Sequence, residues 1–378
     1  MAEGGKKSTS DLRVVICGGG IIGVSIAYYL AEKGVAATII ERRSVACAAS
    51  GRAGGFLAKN WCDHNELGHL ARKSFEMHKE LAEKFGASKI DYRLLDTFQV
   101  DSLEGFHSDS DSGKPDWIDG CVTSVATLGN TSTTAQVHPY KLTHAMLEEA
   151  QKKGVKLIKG AVEGIKSTHD KRPKVQGVKI ADQEEPIPCD IVVIAMGPWS
   201  HMASQWFARL PKVKGHRAHS IMVKPPTPFP AHACFIEHRL KNGITRSPEI
   251  YCRPDGEVYI CGLGDDPELP DNPEDVKPDP ETGEKLLGIV GEISTKLGQA
   301  DIQRKSACFY PVSPDGTPLI GKITTAEGAY IATGHSCWGI LNAPVTGAAM
   351  AELIVDGQAS IVDLKEFSPK RFWEMGWY

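Results

Sequence analysis

The order of hydrophobic and polar positions near the start of the chain predicts a strand, a helix and a second strand. Residues 12–17 (LRVVIC) form a short β-branched run, and apolar residues then recur at helical spacing between positions 22 and 30. Gly34 stands where a helix would end, and residues 37–40 form a second apolar run. This order is typical of a βαβ unit with a buried parallel sheet.

The same alternation returns in the middle of the chain. Helices are predicted at 67–84 and 140–153, and the apolar runs at 155–158, 174–180 and 191–196 predict further strands of a parallel sheet.

The pattern changes between about residue 212 and residue 264. Two strand-like segments there, VKGHRAHSIMVK and EIYCRPDGEVYICG, predict antiparallel pairing, and PDGE is a typical hairpin turn. Helices follow at 284–297 and 344–355, the second with Pro344 at its first position.

Together these segments predict an α/β protein in which two domains are interleaved along the sequence. One is Rossmann-like with a parallel sheet, and the other is an α+β substrate domain with a mixed or antiparallel sheet. The first is predicted to comprise residues 11–90, 130–210 and 305–360, and the second residues 91–129 and 211–304. Residues 1–10 are predicted to be a disordered lead-in.

Composition narrows the class of protein. The 378 residues carry 43 Lys and Arg against 47 Asp and Glu, a net charge of -4, which argues against a nucleic-acid-binding surface. The uncharged stretches 14–31 and 328–351 are interrupted by glycines and polar residues, so no membrane span is expected. A cytoplasmic protein is predicted.

The ten cysteines are too widely spaced for a zinc or thioredoxin motif. The nearest pair, Cys252 and Cys261, is nine positions apart. Free thiols and no metal site are therefore expected.

The turn after the first strand carries a dinucleotide fingerprint, Gly18-x-Gly20-x-x-Gly23. It supplies a tight turn, a backbone open to a pyrophosphate and close packing of helix on sheet. Glu41, at the end of the second strand, is placed to accept hydrogen bonds from an adenosine ribose. Arg42 leaves open the alternative of a 2′-phosphate.

The C-terminal segment favours FAD over a nicotinamide cofactor. It forms a second glycine-rich strand, loop and helix, and the positive end of that helix would stabilise the negative charge of a reduced flavin. An NAD(P)-dependent dehydrogenase, which rests on the fingerprint alone, is the alternative.

Six ordered segments give the chain a resemblance to a known family. They are VVICGGGIIGVSIAYYLAEKG, IIERRSVACAASGRAGGFL, AQVHPYKLTHAMLEEAQKKGVKLIKGAVEGI, DIVVIAMGPWS, YPVSPDGTPLIG and GHSCWGILNAPVTGAAMAELI. In this order they resemble the D-amino acid oxidase-like (DAO) FAD-dependent oxidoreductases, which include glycine oxidase and sarcosine oxidase. The C-terminal half is most similar to eukaryotic oxidoreductases of the Tda3 type.

The resemblance implies a set of FAD-binding residues. Those implied at the pyrophosphate and the adenosine are Gly18, Gly20, Ile22, Gly23, Glu41 and Arg42, with Val162 meeting the adenine through its backbone. Those implied beside the pyrophosphate and flavin are Ser50, Gly51, Arg52, Gly55, Phe56 and Leu57. Those implied along the dinucleotide and the flavin ring are Ala195, Gly197, Trp199, Trp338, Gly339, Ile340 and Leu341.

The reaction implied by the resemblance is hydride transfer from the carbon of an amine or amino acid to flavin N5, after which water hydrolyses the imine. Tyr310 stands where glycine oxidase-like members have a substrate-binding arginine, and Leu341 where sarcosine oxidase-like members have a lysine. Arg253 is the candidate replacement anchor; an exposed hairpin arginine is the alternative. The candidates for catalytic roles are Tyr251, Arg253, Tyr310 and His335.

FAD is expected to be bound non-covalently, with a covalent bond to Cys308 as the alternative, because the neighbours of Cys308 offer no evident activation of its thiol. The expected partner is a small amine or amino acid. A flavoprotein that acts mainly as an interaction or regulatory protein is the alternative function. Trp61, in the segment that follows Leu57, is predicted to lie in a surface turn; a position that reaches the pocket is the alternative.

Overall fold

A computed structural model describes residues 11–106 and 114–374 of the chain. The predicted lead-in at 1–10 lies outside the described residues.

The strands fall into four sheets. In chain order they are β1 Val14–Cys17, β2 Thr38–Glu41, β3 Phe56–Ala58, β4 Arg93–Leu94, β5 Asp96–Leu103, β6 Val122–Gly129, β7 Thr134–Gln136, β8 Lys156–Lys159, β9 Val162–Ser167, β10 Val175–Ile180, β11 Ile187–Pro188, β12 Ile191–Ile194, β13 Lys214–Lys224, β14 His232–Arg239, β15 Thr245–Arg246, β16 Glu249–Cys252, β17 Val258–Asp265, β18 Asp301–Val312, β19 Leu319–Lys322 and β20 Ala329–Thr333.

The α-helices lie between these strands or, for the last two, after β20. They are α1 Ile21–Glu32, α2 Ala49–Arg52, α3 Gly68–Phe85, α4 Pro139–Lys152, α5 Thr282–Gly291, α6 Thr295–Gly298, α7 Gly339–Val355 and α8 Arg371–Glu374.

The predicted parallel sheet is present, with six strands in the order β19-β20-β12-β1-β2-β8. Only β19 runs antiparallel to its neighbour. The apolar runs form this sheet because both of its faces are covered, one by helices that include α1 and α7 and the other by the three-stranded sheet that contains Val175, so that every side chain of β1 and β12 is buried. The predicted α/β class is confirmed.

One predicted strand of that sheet is elsewhere. Residues Val175–Ile180 pair antiparallel with β9 and β11 in a separate three-stranded sheet. Two side chains of this strand, Gln176 and Lys179, are exposed, which is incompatible with a strand covered on both faces.

The substrate-domain prediction corresponds to a mixed eight-stranded sheet, ordered β18-β13-β17-β16-β14-β5-β6 with β15 beside β14. Its last strand, β18, pairs with β13 along its whole length, from Asp301 to Val312. This sheet therefore extends past residue 304, where the predicted boundary lay.

The C-terminal helix begins earlier than predicted. Helix α7 starts at Gly339, so Pro344 lies inside it and not at its first position. Its small residues allow close contact with α1: a Cβ on Gly347 would lie 2.4 Å from the Ser25 Oγ. The predicted helix at 284–297 is also divided into two helices. Helix α5 ends at Gly291, and the Ser294 side chain caps the short α6 by accepting the Leu297 N–H.

The segment Ser336–Val355 is long and apolar enough to cross a membrane by length and composition. In this fold 72% of its most apolar window is buried, as in a core helix. It packs against α1 and α3. A location in the cytoplasm stays a prediction.

All ten cysteines are free thiols. In the parts of the chain that the structure describes, no cluster of His, Cys, Asp and Glu is arranged to hold a metal ion.

Candidate functional site

A cavity of about 580 Å³ lies between the parallel sheet and the eight-stranded sheet. One end is formed by the β1–α1 turn and the carboxyl ends of β2 and β12, which is where open α/β sheets bind ligands. The other end is formed by β16, β17, β18 and the start of α7. Its volume is typical of a site for a cofactor or small molecule.

The glycines of the fingerprint have separate roles at the first end. Gly18 has a φ of +114°, and a Cβ there would lie 2.3 Å from the Ala195 carbonyl oxygen. A Cβ on Gly23 would lie 2.1 Å from the Gly18 carbonyl oxygen, so Gly23 allows α1 to pack on the turn and does not line the cavity. Gly20 borders the cavity with an ordinary φ of -76°.

Glu41 is fixed at the end of β2 by two backbone donors. Its Oε2 accepts the Gly19 N–H at 2.7 Å, and its Oε1 accepts the Arg43 N–H at 2.9 Å. An ionised carboxylate has about four acceptor positions, so capacity remains for hydroxyl donors from a ligand in the cavity.

Most residues that the sequence implied for cofactor binding lie on the cavity wall. They are Gly18, Gly20, Ile22, Glu41, Arg42, Ser50, Gly55, Phe56, Val162, Ala195, Gly197, Trp199, Trp338, Gly339 and Ile340. Five implied residues are not on the wall: Gly23, Gly51, Arg52, Leu57 and Leu341.

Three of these five are displaced by packing. Leu57 is fully buried and Leu341 is 1% exposed, because both side chains fill the core around α7. A Cβ on Gly51 would lie 2.1 Å from the Ala46 carbonyl oxygen, so this glycine permits a tight turn. None of these three residues lines the cavity, and their roles toward a cofactor stay predictions.

Arg42, on the cavity wall, and Arg52, outside it, both bind the loop at residues 271–276. Arg52 donates to the carbonyl oxygens of Val276 and Ala307, at 3.3 and 2.7 Å. Arg42 donates to the Asp271 carbonyl at 3.1 Å and to the Asn272 side chain. Their guanidinium groups therefore fasten residues 271–276 beside the cavity, which argues against Arg42 as a partner for a 2′-phosphate.

The two ends of the cavity fit FAD. The N-cap residues of α1 and α7, Gly20 and Trp338, provide no side-chain cap, and the Ile21 N–H donates to the Ser50 Oγ at 2.8 Å. The other N–H groups of these helix starts would suit a negatively charged group of the cofactor. A wall of glycine backbone at Gly18 and Gly20 suits a pyrophosphate.

Three of the four candidates for catalytic roles line the cavity: Tyr251, Tyr310 and His335. Arg253 does not. It is 6% exposed, and its guanidinium donates to His138 Nε2 at 3.2 Å and to the Ala53 carbonyl at 3.4 Å. The alternative of an exposed hairpin arginine is therefore wrong, and a role of Arg253 as carboxylate anchor stays a prediction that its absence from the cavity wall does not support.

A carboxylate that the sequence reasoning missed lies on this wall. Glu249 accepts hydrogen bonds from the Tyr251 hydroxyl and, at 3.4 Å, from the Cys261 thiol. The pairing of β16 with β17 sets Glu249 opposite Cys261 and Tyr251 opposite Tyr259. The available signal was the alternation in EIYC and VYIC, which places every second side chain on one face.

Aromatic side chains complete this end of the cavity. Trp61, predicted to lie in a surface turn, is instead on the wall, with its ring centroid 5.0 Å from Phe56 and 4.8 Å from Phe235. Phe56 stacks on Tyr251 at 5.7 Å. We call Phe56, Trp61, Phe235, Tyr251 and Tyr259 the aromatic wall.

Burial keeps three titratable side chains of the cavity neutral. It lowers the pKa of His335 to about 3 and raises the pKa of Cys308 to about 11. It also raises the pKa of Tyr310 to about 12. Imidazole, thiol and phenol therefore carry no charge at neutral pH.

Comparison with known proteins identifies the family of the chain. The family model for FAD dependent oxidoreductase (DAO) matches residues 13–353. The "Putative oxidoreductase C1F5.03c" of Schizosaccharomyces pombe is 33% identical, over 96% of this chain and 99% of its own. The "Putative oxidoreductase TDA3" of Saccharomyces cerevisiae is 30% identical, over 98% of this chain and 96% of its own.

Among solved structures, glycine oxidase from Geobacillus kaustophilus has a TM-score of 0.79 at 21% identity, over 95% of this chain and 99% of its own. That likeness shows the shared fold. The family model and the two yeast relatives, each matched over nearly its whole length, show that the chain belongs to the DAO family of FAD-dependent oxidoreductases.

Proposed function

We propose that this protein oxidises the C–N bond of a small amine, with FAD as the hydride acceptor. The observation that carries the proposal is the single cavity that joins the dinucleotide turn at Gly18 and Gly20 to the aromatic wall and Glu249. A cofactor held at the first end would present its reactive ring beside a closed, mostly apolar chamber. The similarity to glycine oxidase supports an amine as the substrate class.

When bound, FAD would supply a two-electron acceptor for the hydride of the carbon next to nitrogen. The chain's own task is positioning. The aromatic wall excludes water and holds the substrate's carbon chain, because stacked rings leave a narrow apolar space. His335 is neutral and its Nε2 lies 3.1 Å from the Thr346 Oγ1, so it adds no positive charge near the substrate.

Non-covalent attachment of FAD is part of the proposal. Cys308 lies on the cavity wall, but burial raises the pKa of its thiol to about 11, so the nucleophilic thiolate is scarce at neutral pH. Acid precipitation tests this point: we expect the flavin to remain in the supernatant. Flavin that stays with the protein, and is lost in Cys308→Ala, would show a covalent bond.

The test of the activity is anaerobic reduction of the bound flavin. Purified protein is mixed with a panel of primary, secondary and tertiary amines, and the loss of visible flavin absorbance is followed. We expect at least one class of amine to bleach the flavin and to yield an aldehyde or ketone together with the released amine.

Two results favour other functions. A yellow protein that no amine reduces would support a flavoprotein that acts as an interaction or regulatory protein. A colourless protein that binds a nicotinamide cofactor would support a dehydrogenase.

A further inference from the structure

The end of the cavity that would receive the substrate carries a carboxyl group, Glu249, and lacks a lysine or arginine; burial without a cation raises the pKa of this carboxyl. Glu41 and Glu249 are the two carboxylates among the residues that line it, and Glu41 belongs to the dinucleotide end. Glu249 lies at the opposite end, on β16. Its hydrogen-bond partners, the Tyr251 hydroxyl and the Cys261 thiol, are both neutral donors.

No basic side chain offsets this carboxylate on the cavity wall. The lining residues include no lysine, and the lining arginine, Arg42, binds the loop at Asp271 and Asn272. Of the two histidines that line the cavity, His335 is neutral, and His216 has its Nδ1 2.6 Å from the Asp266 carboxylate. A buried carboxylate without a cation is costly, so a ligand that supplies the cation gains that energy.

The surroundings of Glu249 suit an organic cation. The rings of the aromatic wall meet both in stacks and at steep angles: Tyr251 stacks on Phe56 and on Tyr259, with centroids 5.7 and 5.9 Å apart, whereas Trp61 is tilted by 56° to Phe56. The Arg253 guanidinium lies 5.2 Å from the Tyr259 centroid and is not among the residues that line the cavity. Trp61 and Phe235 close the side, with centroids 4.8 Å apart. Aromatic faces attract alkylammonium groups, and together with a carboxylate they form a recognition site for them.

We infer that Glu249 and the aromatic wall recognise an alkylammonium group, and that the substrate is an amine without a carboxylate. The inference rests on the proposed function and names its substrate class. An amino-acid carboxylate would meet the charge of Glu249 with no arginine or lysine of the cavity wall to offset it. Secondary and tertiary alkylamines satisfy both features, since they are cationic and bring methyl or methylene groups to the rings. The hydride leaves only from the neutral amine, so the ammonium proton first passes to the Glu249 carboxylate.

The test separates binding from turnover. The probes are tert-butylammonium and pivalate, which share the tert-butyl group and carry opposite charges. Neither has a hydrogen on the carbon that bears its charged group, so neither can be oxidised there. Each is titrated into FAD-loaded protein, and the perturbation of the flavin absorbance gives the dissociation constant. We expect saturable binding of tert-butylammonium and none of pivalate at the same concentrations.

Glu249→Gln is the decisive variant, and Glu268→Gln, at an exposed glutamate, is its matched control. We expect Glu249→Gln to weaken tert-butylammonium binding at least tenfold while FAD content and melting temperature stay those of the parent. Glu268→Gln should change neither. Pivalate binding as tight as that of tert-butylammonium, absence of binding by either probe, or unchanged affinity in Glu249→Gln would each overturn the inference.

A second pair of probes links the inference to turnover. N-methylpropylamine and sarcosine share the methylamino group, and sarcosine has a carboxylate where the other has an ethyl group. We expect faster anaerobic flavin reduction by N-methylpropylamine. Faster reduction by sarcosine would overturn the inference and leave the proposed function standing. A flavin that no amine reduces would overturn the proposed function. In that case the binding of tert-butylammonium and pivalate still decides the charge preference of the site.

Discussion

The Nε2 atom of His78 lies 3.0 Å from the carbonyl oxygen of Ile340, the helical acceptor that Pro344 leaves without a donor. Proline has no N–H, so the carbonyl four residues before it needs another partner. The same imidazole nitrogen lies 3.1 Å from the Leu341 carbonyl, and the Ser74 Oγ accepts the Val345 N–H at 3.3 Å. Helix α3 thus completes the hydrogen bonds of α7 around the proline.

Replacing His78 should therefore destabilise the fold through α7. His78→Leu leaves buried carbonyl oxygens without a donor, and we expect the free energy of unfolding to fall by about 1–3 kcal/mol. His78→Gln retains an N–H donor and should lose less. Urea unfolding of both variants measures the difference, and equal losses would show that packing, not the hydrogen bond, is what His78 supplies.

Stability should fall as the pH is lowered through the histidine range. Burial lowers the pKa of His78 to about 4 and that of His335 to about 3, from an ordinary value of 6.5. Between these values the unfolded chain binds protons that the folded chain does not. The stability is therefore fully present above pH 6.5 and is lost towards pH 4, by about 1.4 kcal/mol per pH unit for each histidine.

The measurement is urea unfolding between pH 7 and pH 5, for the parent and for His78→Gln. The variant lacks one titrating group, so its stability should fall less steeply with decreasing pH. Identical slopes would show that His78 does not titrate on unfolding.

The sequence predicted the parallel sheet because its strands are continuous apolar runs between helices, as at Ile191–Ile194. It misplaced Val175–Ile180, whose length and composition suit either kind of sheet. It also misplaced the start of α7, since proline is common at a first helical position. The donor that makes an internal proline possible, His78, lies 262 residues from its acceptor Ile340 in the sequence.

At the site, too, features set by the local sequence were predictable and features set by distant contacts were not. The residues of the fingerprint were predictable because a local turn dictates them. Glu249 could have been found from the alternation along the predicted hairpin of β16 and β17. The position of Trp61 could not, because it depends on packing against Phe235, which is distant in sequence. Arg253 was placed on the correct sheet, but the sequence could not show that its guanidinium binds the Ala53 carbonyl.

Gly20 should be required for cofactor retention more than for folding. Its φ is ordinary, and a Cβ would lie 3.1 Å from the Ser50 Oγ, a contact that a small shift relieves. Gly20→Val would project methyl groups into the cavity, so we expect a folded protein that loses most of its FAD. Gly288→Val, at a helical glycine with open space around it, is the control. Full FAD occupancy in Gly20→Val would refute the assignment of this turn.

Arg253→Ala should weaken FAD binding and leave substrate preference unchanged. The guanidinium holds the Ala53 carbonyl, next to Gly54 and Gly55 on the cavity wall, and hydrogen bonds to charged groups contribute about 1.5–3 kcal/mol. We expect a tenfold or greater rise in the FAD dissociation constant, and Arg246→Ala, at an exposed arginine, should show none. A selective loss of activity on amino acids would restore Arg253 as a carboxylate anchor.

The central claim, hydride removal from the carbon next to an amine nitrogen, is tested most directly by stopped-flow absorbance under anaerobic conditions with a deuterated substrate. N-methylpropylamine is compared with the same amine carrying deuterium at the carbons bonded to nitrogen. The account predicts that flavin absorbance is lost in both reactions and severalfold more slowly with the deuterated amine. Equal rates at saturating amine, or a flavin spectrum that does not change, would contradict it.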